Sequence, residues 1–187
     1  MASRRRFRFP PFPLAGLLLL AFALFPIAPA WAAIEVAFYS REWGSNFPHA
    51  FVTLNGTLDR NGEPIEASYG FTATAISPAI LMGSVAGEVV TEKPDMVAKS
   101  DRQFAVILDD AGYDRLMAVV AEWRDRAQPS YNLNRRNCVH FVGELAQAAG
   151  LTVAFEQKLM KRPRSFLLAV KADNETLLNR QTVIAAQ

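Results

Sequence analysis

The stretch Asn137 to Gly150 constrains this chain most, because it reads as one short helix with both ends marked. Asn137 suits the N-cap, where its side-chain oxygen can accept from a free backbone N–H of the first turn. Gly150 suits the position just past the C-terminus, where a left-handed conformation is wanted. Between them Val142, Leu145, Ala146 and Ala149 recur at steps of three and four and form one apolar face. The only cysteine of the chain, Cys138, falls in the first turn. Unpaired N–H groups and the helix dipole favour a negative charge there, which suits a nucleophilic thiol. A buried cysteine serving as a small apolar residue fits the same position.

The segments around this helix predict an α+β domain. Ile34 to Ser40 alternates and is rich in strand formers, and His49 to Leu54 is a second strand. Arg41 to Pro48 between them is a loop. The turn chemistry of Asn55-Gly56 and Asp59 to Gly62 leads to a third strand, Ile65 to Phe71, so the second and third form a hairpin of open register. Pro78 can open a short helix ended by Gly83, and Glu88 to Thr91 fits a short strand. Gln103 to Leu108 reads as a buried strand. Asp109 or Asp110 then caps a helix over 111–127 with Leu116, Val119, Val120 and Trp123 inward. Pro163 can start a helix through Ala172. The sequence says less about the chain beyond about residue 152, which is expected to end in a weak helix or a tail.

The chain has 187 residues, and its first 32 differ from the rest. Arg4, Arg5, Arg6 and Arg8 precede a 14-residue apolar run, Leu14 to Ile27, followed by Ala28-Pro29-Ala30 and Ala30-Trp31-Ala32. This order predicts a secretory signal peptide cleaved after Ala30 or Ala32, and hence a periplasmic or secreted protein. The run is short for a membrane span, so no span is expected after leader removal. Ser3-Arg4-Arg5-Arg6-Phe7 resembles a twin-arginine export signal. Without the leader, 16 Lys and Arg face 18 Asp and Glu, so the basic balance of the whole chain belongs to the leader. No clustered basic face points to nucleic acid. Residues 33–187 are expected to form one domain. A single cysteine forms no internal disulfide, and one cysteine with two histidines does not match the ligand set of a conventional zinc site. No cofactor motif is present, and the sequence leaves the oligomeric state open.

A cysteine nucleophile needs a base, and histidine is the usual one. His140 lies two residues after Cys138, about 200° round a helix, so the two side chains diverge. His140 is therefore expected to be structural, as is Asn137. His49, 89 residues upstream, opens a strand and can meet Cys138 only through the fold; a lone strand histidine is also a common structural residue.

The hexapeptide N-C-V-H-F-V at Asn137 to Val142, with the strand H-A-F-V beginning at His49, resembles the circularly permuted branch of the NlpC-like papain-fold superfamily. That branch includes the lecithin retinol acyltransferase-like proteins and the PPPDE peptidases. The resemblance covers roughly His49 to Leu151. It implies a permuted papain-like core with an antiparallel sheet packed against the Cys138 helix. It also implies Cys138 as nucleophile, His49 as base, and a non-catalytic role for His140. In acyltransferase-like relatives a histidine sits on the partner strand of the hairpin; here Glu66, Ser68 and Tyr69 are the polar residues in that neighbourhood. Glu66 or Ser68 can orient the imidazole if the register brings it beside His49. Tyr131, close to Cys138 in sequence, and the aromatic residues Trp43 and Tyr69 are candidates for binding substrate.

The expected function is an exported cysteine hydrolase or thiol acyltransferase acting on amide or ester bonds. Peptide or peptidoglycan substrates come first, from the compartment, and lipid esters second, from the resemblance. The alternative is a catalytically inactive periplasmic binding or structural protein of the same fold.

Overall fold

A computed structural model describes residues 33–42 and 47–185. Residues 1–32, where a leader is expected, and Trp43 lie outside the described residues. The ordered elements are β1 (Ile34–Arg41), β2 (His49–Thr57), β3 (Pro64–Ala73), α1 (Ala79–Met82), β4 (Ser84–Val85), β5 (Gly87–Val90), α2 (Pro94–Ala98), β6 (Asp101–Leu108), α3 (Asp110–Arg124), β7 (Tyr131–Asn132), α4 (Cys138–Ala148), α5 (Pro163–Asp173) and α6 (Glu175–Ala185). A five-stranded sheet runs in the order β5-β3-β2-β1-β6, and all its neighbours are antiparallel. The architecture is α+β. Among the described residues no helix is long and apolar enough to cross a membrane.

Strand alternation divides the sheet into two faces. One face presents Val36, Phe38, Ala50, Val52, Leu54, Phe104 and Val106 to the core, together with Phe71. Helix α4 lies against β2 and β3, and α5 against β1, β2 and β6. Phe71, Trp123 and Phe141 meet edge-on or tilted at the centre of this layer. The segment after Gly150, the least defined in the sequence, contributes Met160, Phe166, Leu167 and Val170 to the same core.

The helix ends follow their capping chemistry. Asp109 accepts from the Gly112 N–H at 2.7 Å and starts α3. Gly150 has φ +87°, the left-handed conformation expected after α4. Two details differ from the sequence reading. The strand expected to be fully buried, β6, is an edge strand with only alternate residues buried, and Gln181 of α6 bonds both the N–H and the C=O of Ile107 at that edge. The short helix α2 is legible in the sequence only as Pro94 at its start, since five residues cannot show a periodic face.

Asn137 fixes the start of α4. Its Oδ1 accepts from Val139 N–H at 2.9 Å and from His140 N–H at 3.3 Å. Its Nδ2 donates to the carbonyls of Leu133 at 2.9 Å and Met160 at 2.7 Å. An Asn137→Ala variant loses the cap and both carbonyl donors from a buried site. Urea unfolding should show a loss of about 3 kcal/mol; a loss below about 0.5 kcal/mol would show that the amide is not holding this junction.

Candidate active site

The first turn of α4 and the first residue of β2 meet at one end of the sheet. Cys138, buried at the helix start, and His49 line a common cleft of about 200 Å³. Tyr131 shares this lining and stacks on Phe71, with ring centroids 5.7 Å apart. Both burial and the neighbouring Cys138 push the Tyr131 phenol up, which keeps it a neutral hydrogen-bond donor.

The His49 Nε2 lies 2.8 Å from Glu92 Oε1, and Cys138 lines the same cleft and acts on the charge of the ring. Burial alone pulls the imidazole pKa down. The favourable interactions of the charged ring with Cys138 and Glu92 outweigh burial and push it up to about 10. The side chains of His49 and Glu92 are only 16% and 6% exposed, so solvent screens this contact far less than a surface ion pair.

Glu92 is the residue that sequence reasoning missed. It lies two residues past the end of β5, whose partner β3 lies between β5 and β2. The register pairs Phe51 with Gly70 and Thr53 with Ser68, and alternation places His49, Gly70 and Ser68 on one face. Ser68 Oγ accepts from the Glu92 N–H at 2.9 Å and donates to the Glu92 carbonyl at 3.4 Å. Ser68, a candidate orienting residue, therefore stands behind Glu92 and holds its backbone. Glu66, the other candidate, is exposed and pairs with Asn55, about 20 Å along β2 from His49. It is not part of the cleft.

Gly70 leaves the corridor through which the carboxylate reaches the ring. A Cβ at this position would collide with Glu92 Oε1 and lie 2.8 Å from His49 Nε2. Its backbone φ is unremarkable, so glycine is required here for space.

The remaining candidates fall elsewhere. Tyr69 pairs with Val52 and so points to the opposite face, where it packs against the core. His140 lines a separate groove with Glu144 and Phe155, and its ring lies parallel to Phe155. Burial lowers its pKa. Its Nδ1 lies 2.9 Å from Asn137 Oδ1 and 3.4 Å from the Asn137 backbone nitrogen, which completes a capping box.

Comparison with known proteins returned no matching family model, no matching curated protein and no matching solved structure.

The geometry makes a pH-dependent prediction. The folded His49 pKa lies above its ordinary 6.5, so its stabilising contribution is complete below pH 6.5 and is lost as pH rises through about 10. Gly70→Ala forces Glu92 off the ring and removes part of that contribution. Urea unfolding should show a smaller stability loss between pH 6.5 and 10 in Gly70→Ala than in the wild type. Equal losses would mean that Glu92 does not help to hold the proton.

Proposed function

We propose that this protein is an exported cysteine hydrolase or acyl-transfer enzyme with a permuted papain-like core, using Cys138 as nucleophile, His49 as acid and base, and Glu92 as the residue that orients the ring. One observation carries this reading: His49 is held by a buried carboxylate and shares its cleft with the only cysteine of the chain. A structural histidine needs no such arrangement in an accessible cleft. The carboxylate also answers the absence of a partner-strand histidine.

In this reading the resting proton sits on His49, matching its raised pKa. The Cys138 sulfur attacks the carbonyl carbon of an amide or ester, a C–S bond forms, and the carbonyl electron pair moves onto oxygen. The Cys138 N–H has no acceptor among the described residues, because Asn137 takes the N–H groups of Val139 and His140 instead. It is a free donor for that oxyanion, and Tyr131 lines the same cleft. His49 then gives its proton to the departing amine or alcohol. Water, or an acceptor hydroxyl or amine, attacks the thioester, returns a proton to His49 and releases the acyl group. Glu92 keeps the ring oriented and stabilises its cationic form throughout. Export rests on the leader-like residues 1–32, with cell-wall peptides as the first substrate class and lipid esters as the second.

Incubation with an activated p-nitrophenyl ester tests the chemistry. The expected result is an acyl adduct on Cys138, removed by hydroxylamine, with ester cleavage slowed about 100-fold or more in folded His49→Ala. A folded wild type that forms no adduct on Cys138 with esters or activated amides would overturn the reading.

A further inference from the structure

We propose that Arg41 forms an anion subsite in the Cys138 cleft and takes a carboxylate carried by the substrate next to its scissile carbonyl. The inference rests on the catalytic reading above and narrows its substrate class.

Arg41 is the last residue of β1 and pairs with His49 across the strands. Directly opposed side chains share a face, with Cβ atoms about 5 Å apart. Arg41 also lines the cleft and is half-buried. Yet the hydrogen bond its side chain makes among the described residues, 2.8 Å to Met96 Sδ, is to a thioether, a weak acceptor for a group with five N–H donors. Three other arginines are matched to carboxylates, Arg60 to Asp114, Arg102 to Glu35, and Arg126 to Glu122 and Glu144, whereas Arg41 stands in the cleft without one among the described residues. Among the described residues no carboxylate lies within ion-pair distance of Arg41. The one acid lining the cleft, Glu92, is engaged by His49.

The surroundings strengthen any anion that arrives. Phe47, Ile76, Ile80, Val90 and Leu133 give the cleft apolar walls, so an Arg–anion contact there is screened less than at the open surface. The planar guanidinium matches a carboxylate through two parallel hydrogen bonds. Its cross-strand position beside His49 sets the carboxylate within a residue or two of the bond under attack. The substrate class is an acyl compound or peptide with an apolar body and a free carboxylate beside the scissile bond.

The single cysteine makes the test direct. Cys138 is alkylated with neutral iodoacetamide and with anionic iodoacetate; in each case a C–S bond forms and iodide leaves. The unfolded protein in urea gives the intrinsic ratio of the two rates. The folded wild type should favour iodoacetate relative to that ratio. Arg41→Gln should lower the iodoacetate rate about tenfold while the iodoacetamide rate changes less than about twofold. If both rates fall together, Arg41 is a brace for Met96 and the proposal fails; if neither falls, there is no anion subsite. The salt dependence of the unmodified protein is a second test that needs no variant. Added sodium chloride should erode the iodoacetate preference, and a preference unaffected by salt overturns the proposal. Acetate should slow iodoacetate at least as well as inorganic phosphate does; protection by phosphate at much lower concentration would overturn the carboxylate assignment in favour of a phosphoryl group. His49→Ala in the same assay reports on the catalytic pair separately, since it lowers the iodoacetamide rate, which Arg41→Gln leaves within about twofold.

Discussion

The side-chain amide of Asn137 joins three parts of the chain that would otherwise be independent. Its oxygen closes the first turn of α4, and its nitrogen binds the Leu133 carbonyl before the helix and the Met160 carbonyl after it. Helix α4 packs on β2 and β3, while α5, which follows Met160, packs on β1 and β6. The one amide thus sets where the start of α4 lies relative to the sheet. Cys138 is the next residue, so its approach to the first residue of β2 inherits that placement. An aspartate could cap the helix but could not donate to the two carbonyls.

On the sheet side, the site depends on a shielded charge arrangement. His49 sits between a carboxylate and a thiol in a setting where burial alone would favour the neutral ring. Two neighbours make the arrangement possible without touching the thiol. Ser68 holds the Glu92 backbone from behind, and Gly70 leaves the volume the carboxylate crosses. A glutamate in this role stabilises the imidazolium as well as fixing the ring, which an amide would do less strongly. The arrangement therefore favours a resting state with the proton already on nitrogen.

Local chemistry was legible in the sequence wherever it was complete within about fifteen residues. The caps of α4, its apolar face, the Asp109 cap of α3 and the turn between β2 and β3 all belong to this class. The divergence of His140 from Cys138 was likewise readable from helical geometry alone. Long-range order was not. The hairpin loop left the register of β2 and β3 open, so Glu66 and Ser68 stood as equal candidates beside His49. Only the pairing of Asn55 with Glu66 separates them. Glu92 was harder still, since its role depends on β5 joining β3 and on the space left by Gly70 between two other side chains. The signal available was an acid immediately after a short strand, which is too common to select. The apolar run in β6 suggested burial on both sides, and nothing local indicated that Gln181 would meet that edge.

The central claim is that His49 holds its proton because Cys138 and Glu92 flank it. The chain has two histidines, so the ring protons of both can be followed by NMR across pH and assigned with His140→Gln. The account predicts that the two move in opposite directions from 6.5. His49 should remain protonated well above neutrality, with a midpoint near 10, and His140 should titrate below its ordinary value. Cys138→Ser and Glu92→Gln should each lower the His49 midpoint. A His49 midpoint near 6.5 in the folded wild type, unmoved by either substitution, would contradict it.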